Sequence, residues 1–173
     1  GKAPYLHNAN YNQFLVRAHM QTPNKVSQNT TIANIKKLVP QGLKRILTQS
    51  KSKTLETMNL PFRPQHTTAF SLGLINGIYI NDNIRFGGPV RGEDEIENWV
   101  EKICIEFNRC DEAIKYKMHA APYRIRHKRS RYHDYLPDIW IDKPDTIRPV
   151  GIGQFIFPND HYEHITDLHK VHD

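Results

Sequence analysis

The most constraining feature of the sequence is a run of apolar residues at helical spacing between Glu93 and Asn108. Residues that recur every three or four positions share one face of an α-helix and pack together against a core. Acidic residues crowd the start of the run, where the helix dipole favours negative charge. The pattern predicts one long amphipathic helix, whose buried face consists of Ile96, Trp99, Val100, Ile103, Cys104 and Phe107.

Short apolar runs separated by proline and glycine lie on both sides of this helix. Runs of this kind are typical of β-strands joined by turns, and Asn76-Gly77 is a hairpin signal. A chain of 173 residues has room for one domain with a sizeable core and an extended arm. We therefore expect an α/β chain of the α+β type, with a flexible arm over the first ten residues. The predicted strands lie at 71–75, 77–81, 84–86, 113–119, within 121–141 and within 148–157.

Positive charge is concentrated near the N-terminus. The chain carries a net charge of +6, and residues 25–53 contain seven lysines and arginines and no acidic residue. An excess of this sign favours a polyanionic partner. Two short helices across a turn at Pro40 give this segment a loose helix-turn-helix pattern, and a solvated basic face is the alternative. Its candidate nucleic-acid contacts are Lys36, Lys37, Lys44 and Arg45.

A second basic tract covers residues 123–135, where cations alternate with tyrosines and histidines. Guanidinium and ammonium groups neutralise phosphates, and aromatic rings stack on bases or pack against sugars. The tract predicts a hairpin that contacts phosphate, and a solvated hairpin is the alternative. Its candidate contacts are Arg124, Arg126, Lys128, Arg129 and Arg131.

Polar side chains follow one another in a suggestive order through the second half of the chain. Glu97, or Glu95, lies on the predicted helix; Asp138 follows a proline at the start of a predicted strand; Gln154 lies on the next strand. Metal-dependent nucleases gather carboxylates from different elements around a divalent ion that activates water. Each residue taken alone also has a structural explanation, such as pairing with the helix dipole or lying at a strand edge.

Over residues 76–158 this order resembles the PD-(D/E)xK nuclease superfamily, and in particular the TnsA-type endonucleases that cut at transposon ends. The resemblance implies a restriction-endonuclease-like mixed sheet flanked by helices. It implies that Glu97, Asp138 and Gln154 are catalytic and bind Mg²⁺ or Mn²⁺. It also implies DNA as the substrate, with a partner transposase and an ATP-dependent regulator.

The sequence departs from that family at one position. Family members place a lysine two residues after the Gln or Glu, and Ile156 stands there in this chain. Either another lysine supplies the charge, with Lys102, Lys115 and Lys117 as candidates, or the chain binds DNA without cutting it. The expected organisation is a basic, partly helical arm over residues 1–60 and a nuclease-like domain with a polar, histidine-rich tail over 61–173.

Several other classes lack their signatures in this sequence. It contains no dinucleotide-binding glycine motif, P-loop or serine-hydrolase motif, and no apolar run long enough for a membrane span. Cys104 and Cys110 indicate neither a disulfide framework nor a thiolate zinc site, and the His161 and His164 pair is interpreted as part of a polar tail. We expect a cytoplasmic, nucleic-acid-associated protein without membrane contact.

The leading hypothesis is therefore a metal-dependent DNA endonuclease-like protein, of the transposon-end, phage or restriction type. The alternative is a non-catalytic nucleic-acid-binding or structural component of a larger nucleoprotein assembly.

Overall fold

Residues 4–23 and 62–160 are described by the structure, a computed structural model of the chain. The strands in these residues are β1 His7–Ala9, β2 Ala69–Phe70, β3 Gly77–Ile80, β4 His119–Pro122, β5 Ile139–Asp142, β6 Ile147–Pro149 and β7 Ile156–Pro158. The α-helices are α1 Tyr11–Arg17, α2 Asn83–Phe86, α3 Glu93–Arg109 and α4 Asp111–Lys115. Short 3-10 helices cover Pro64–His66, Arg124–His127 and His133–Tyr135. These elements confirm the α+β class expected from the sequence.

Helix α3 confirms the long amphipathic helix predicted from the sequence. It begins after Gly92, whose φ of 80° lies in the left-handed region that favours a residue without a Cβ atom. Five of the six predicted core residues are buried, and Trp99 is half-buried at the edge of the core. The buried five are Ile96, Val100, Ile103, Cys104 and Phe107.

The larger sheet has the strand order β2-β3-β5-β4, and every neighbouring pair is antiparallel. Successive side chains on a strand point to opposite faces, so the two faces of this sheet carry different residues. One face joins α3 in the main core through Ile78, Ile80, Ile139 and Ile141. The opposite face carries a smaller aromatic cluster of Phe62, Phe70, Tyr79 and Phe86.

The smaller sheet places the N-terminal strand at its centre. Its order is β6-β1-β7, with β1 parallel to β6 and antiparallel to β7. A central strand is hydrogen-bonded along both edges, so the flexible arm expected over the first ten residues is wrong for residues 7–9. Phe14 on α1 then contacts Phe107 and Phe155, with ring centroids 5.1 and 5.6 Å away. Residues 4–23 therefore share the main core with residues 62–160.

Strand β4 lies at an edge of the larger sheet, and the outer backbone groups of Ala120 are already bonded. The Asn108 side chain accepts a hydrogen bond from Ala120 N at 2.7 Å and donates one to Ala120 O at 2.9 Å. Met118 N donates to Ala113 O at 2.8 Å, and Pro122 has no N–H to offer. An amide side chain thus replaces a neighbouring strand, which protects this edge from pairing with another chain.

Three of the predicted strands are wrong. Residues 71–75 form a connecting loop, 84–86 belong to α2, and 113–119 divide between α4, a turn and the start of β4. Residues 84–86 are helical because of a local cap: the Asp82 side chain accepts a hydrogen bond from Arg85 N at 2.8 Å and so starts α2. The apolar residues of these runs fit a period of two, but helical hydrogen bonding prevails in α2 and α4.

Some expectations concern residues outside the described ranges. These are the basic segment 25–53 with Lys36, Lys37, Lys44 and Arg45, and the His161 and His164 pair. Within residues 4–23 and 62–160, none of the helices has the length and apolar character that crossing a membrane requires.

Candidate functional site

The predicted Pro-Asp pair lies at the start of β5, as expected. Pro137 packs over Gly77 of the neighbouring β3, where a Cβ atom would come within 2.6 Å of the proline ring. Gly77 therefore leaves the space that lets Pro137 approach the sheet. The backbone oxygen of Asp138 accepts from Tyr123 N at 2.8 Å, which ties the second basic tract to this corner.

The Asp138 carboxylate is buried, with 2% of the residue exposed, and both of its oxygens are hydrogen-bonded. Oδ1 accepts from Arg124 Nε at 2.7 Å. Oδ2 accepts from Arg85 Nη2 at 2.6 Å and from Ile80 N at 2.7 Å. A buried charge with this many partners is compensated by the fold itself.

Arg85 extends the network to a second carboxylate. Its Nε donates to Asp82 Oδ2 at 2.5 Å, so one guanidinium bridges Asp82 and Asp138. Burial acts to lower the pKa of Arg85, but the neighbouring carboxylates outweigh it and the pKa is raised. With Arg124 included, two carboxylates face two guanidinium groups, so the formal charges of the cluster balance.

His133 lies at the far end of the same network. Arg124 Nη1 is 3.2 Å from His133 Nε2, and because a guanidinium only donates, Nε2 is the acceptor. The imidazole therefore carries its proton on Nδ1, which is buried without a hydrogen-bond partner in the described part of the chain. This is the one buried side-chain polar atom of the network that is left unsatisfied there.

A groove of about 860 Å³ opens beside this network, between α3 and the second basic tract. Glu93, Glu97 and Glu101 of α3 line one wall. Arg126 and Lys128 line the other, and no ion pair joins these walls within residues 4–23 and 62–160. Strand β4 lines the groove between them with His119, Ala120, Ala121 and Pro122. The groove thus has an acidic side and a basic side.

The structure brings together two of the three predicted metal ligands. Glu97 and Asp138 both line the groove, whereas Gln154 is exposed on the loop before β7, in the smaller sheet, and does not line it. Among the described residues no three His, Cys, Asp or Glu side chains are grouped as a metal site. Because both Asp138 oxygens are bonded to arginines and Gln154 lies on a loop outside the groove, the predicted set does not fit Mg²⁺ or Mn²⁺.

The lysines considered as substitutes for the missing motif lysine also lie outside the groove. Lys102 stacks on Trp99 and Lys115 on Tyr116, with Nζ 4.9 and 5.3 Å from the ring centroids. Lys117 does not line the groove either. None of them forms an ion pair with Asp138 in the described structure.

The second basic tract is not the hairpin predicted from the sequence. It forms two 3-10 helices joined by turns, and Arg124 is buried against Asp138 instead of being available to phosphate. The other four cations are exposed, and no acidic side chain pairs with any of them in residues 4–23 and 62–160. We call Arg126, Lys128, Arg129 and Arg131 the cationic surface.

The tyrosines and histidines of this tract were expected to stack on bases, but Trp140, which lies beside them, was not among the expectations drawn from the sequence. Tyr123 lies between Trp140 and His127, with ring centroids 5.3 and 4.2 Å away and interplanar angles of 33° and 41°. The alternation in β5 was the available signal. Ile139 and Ile141 point into the core, so Trp140 between them points outward. We call Trp140, Tyr123 and His127 the ring row.

Cys104 lines the groove and provides a test of its packing. Burial raises the pKa of the Cys104 thiol from 9.0 to about 11, although Arg126 opposes the rise. Its contribution to stability is therefore complete below pH 9 and lost as the pH rises towards 11. At pH 8 we expect iodoacetamide to alkylate Cys104 about 100-fold more slowly in the folded protein than in urea. Peptide mass spectrometry measures both rates, and equal rates would contradict the burial.

Comparison with known proteins found no match to this chain among protein-family models, curated proteins or solved structures.

Proposed function

We propose that the protein binds nucleic acid and that the cationic surface contacts the phosphates. The observation that carries this proposal is the concentration of four exposed, unpaired cations within six residues, Arg126 to Arg131, of the described chain. Exposed cations in proteins usually face nearby acids, and the tract 123–135 contains one acid, Asp134. Unpaired guanidinium groups suit phosphate because their planar donors match its oxygens.

The net charge of the chain and the anchoring of the cationic surface also favour binding of a polyanion. The whole chain has a net charge of +6, which attracts polyanions at long range. The 3-10 helix Arg124–His127 is anchored to β5 through Tyr123 N and Asp138 O, so the cations extend from a fixed base. A fixed base reduces the entropy lost on binding. Arg124 contributes to this anchoring through Asp138 and is not one of the proposed contacts.

The test is the salt dependence of binding by a variant that lacks three of these cations. We expect the triple variant Arg126→Ala/Arg129→Ala/Arg131→Ala to bind a fluorescent nucleic-acid 20-mer at least tenfold more weakly than the parent at 100 mM salt. Each phosphate that the variant no longer neutralises reduces the slope of log affinity against log salt by about 0.7 to 0.9, so we expect a decrease of about 2 to 3. Fluorescence anisotropy between 50 and 300 mM salt measures this slope.

The matched control removes the same charge elsewhere. Arg63, Arg91 and Lys115 are also exposed, and changing all three to alanine lowers the net charge equally. This control is expected to keep most of the slope, because long-range attraction alone does not release condensed counterions. If both triple variants change the slope to the same extent, the cationic surface is not the binding site. Absence of binding by the unmodified protein at 50 mM salt would end the proposal.

A metal-dependent endonuclease of restriction-endonuclease-like fold is the second candidate. One observation favours it: Glu97 and Asp138 line one groove next to Arg126 and Lys128. The ion pairs of Asp138 with Arg85 and Arg124 weigh against it, since a carboxylate in those pairs has no free oxygen for an ion. The two candidates make opposite predictions for the stability of an Asp138 variant. Removing one acid of a metal site relieves the repulsion among the acids that remain, so the metal-free protein becomes more stable. Removing an ion-paired acid leaves its cations unpaired, so the protein becomes less stable.

A further inference from the structure

Trp140 lies on an open part of the larger sheet. Its cross-strand neighbours are Gly77 on β3 and Ala121 on β4, the two residue types with the least side chain. The Pro137 ring occupies the space over Gly77, and Tyr123 lies beside the indole with its ring centroid 5.3 Å away, so these neighbours cover the indole only in part. Trp140 is 37% exposed, while Ile139 and Ile141 beside it are fully buried. An aromatic residue in such surroundings is available to a ligand.

Tyr123 and His127 extend this exposed ring into a row. His127 Nδ1 lies 2.8 Å from Tyr123 O, and because a carbonyl only accepts, Nδ1 is the donor and holds the imidazole beside the tyrosine. Tyr123 N is in turn bonded to Asp138 O. Hydrogen bonds to backbone oxygens therefore fix the Tyr123 backbone and the His127 ring next to Asp138 of the buried ion-pair network.

The ring row and the cationic surface are parts of one chain segment. His127 is flanked directly by Arg126 and Lys128, and Arg131 stacks its guanidinium on Tyr132 at 4.5 Å from the ring centroid. The exposed rings of Trp140 and His127, next to unpaired cations, match a ligand that carries flat apolar groups on an anionic backbone. An apolar protein partner would cover the rings but leave these cations without counter-charges, so charge complementarity favours a polynucleotide.

We propose that the ring row stacks the unpaired bases of a single-stranded polynucleotide, while the cationic surface holds its phosphates. This inference rests on the proposed nucleic-acid binding and specifies its substrate. Bases in a duplex are stacked on one another and cannot insert against a fixed ring, whereas unpaired bases can. The shared chemistry covers both DNA and RNA single strands. Base stacking is tolerant of sequence because every base has an aromatic face.

The chain allows a direct optical test, because it contains two tryptophans, Trp99 and Trp140. The Trp99→Phe variant leaves Trp140 as the sole indole fluorophore. We expect oligo-dT and oligo-U 20-mers to quench its emission on binding, and a 20-base-pair duplex to bind without comparable quenching. The relative affinity of the two single strands then distinguishes DNA from RNA as the better ligand. Binding of both single strands without any quenching would overturn the inference.

Affinity measurements on Trp140 variants complete the test. Trp140→Ala is expected to weaken binding of oligo-dT about 5- to 100-fold, and to leave duplex affinity within about twofold. Trp140→Leu retains an apolar side chain on β5 without an aromatic face, so it should lose affinity similarly while remaining as stable as the parent. Unchanged single-strand affinity in both variants, with binding still dependent on the cationic surface, would refute base stacking and leave the proposed function standing. If the parent binds no nucleic acid, both proposals fall.

Discussion

Replacing Asp138 with alanine is expected to lower the free energy of unfolding by about 3 to 5 kcal/mol. The substitution removes the acceptor of Arg124 Nε and Arg85 Nη2, both of which belong to nearly buried side chains. Arg85 keeps Asp82 as a partner, whereas Arg124 keeps only the neutral His133. The cluster then carries one uncompensated positive charge in the interior. Urea unfolding followed by far-ultraviolet circular dichroism measures the loss, provided the m-value is unchanged.

The sign of this effect separates a structural acid from a metal ligand. Acids that gather to hold a cation repel one another when the cation is absent, so removing one of them stabilises the metal-free protein. An acid in the centre of an ion-pair network has the opposite effect. The matched control is Asp134→Ala, which removes an exposed acid four residues earlier and should change stability by less than about 0.5 kcal/mol. An Asp138→Ala protein that is as stable as this control in EDTA would mean that the arginine pairs are not structural.

Elements with strong local patterns were predictable from the sequence. Helix α3 combines a continuous apolar stripe with acids in its first turn, and both signals act within a few residues. Strand β5 follows Pro137, which removes a backbone donor and favours the extended conformation. The apolar alternation in Ile139 and Ile141 then fixes which residues point into the core. Local chemistry was sufficient in each of these cases.

The surroundings of Asp138 were not predictable in the same way. Its partner Arg85 is 53 residues away in the sequence, and nothing near either residue signals their contact. Arg124 stands in a run of cations, so its burial depends on the 3-10 helix that turns it inward. Gln154 is a predicted ligand because of its order after Asp138, but it lies on the loop before β7, and sequence order does not determine which sheet that strand joins. The metal-site prediction therefore depended on contacts between residues that are far apart in the sequence, and local patterns do not reveal such contacts.

The N-terminal segment is the clearest case of such long-range pairing. Its residue types indicate an arm, yet β1 is the centre of one sheet and α1 carries Asn12 against the other. Asn12 is buried, and its side chain donates to Ser71 O at 2.9 Å and accepts from Ser71 N at 2.7 Å. Its Oδ1 also accepts from Gln21 Nε2 at 2.9 Å. One amide thus bonds both backbone groups of Ser71, just beyond β2.

Asn12→Ala is therefore expected to lower the free energy of unfolding by about 3 to 5 kcal/mol. The change leaves Ser71 N–H and C=O without their partners in a buried position, and each unsatisfied polar group costs about 1 to 3 kcal/mol. Gln21→Ala removes only one bond to Asn12 and one to Ala69 O, so its expected cost is smaller, about 1 to 2 kcal/mol. Urea unfolding of the full chain measures both values.

The order of these two costs is the informative result. Gln21→Ala removes one methylene group more than Asn12→Ala, so packing alone would make the glutamine the more costly loss. Hydrogen bonding to a backbone that cannot rearrange makes the asparagine the more costly one. Gln13→Ala, which truncates the exposed amide next to Asn12 on α1, should stay within about 0.5 kcal/mol of the parent. A cost for Asn12→Ala below that for Gln21→Ala would show that α1 is held by its apolar contacts, Phe14 with Phe107 above all, and that the amide bonds to Ser71 contribute little.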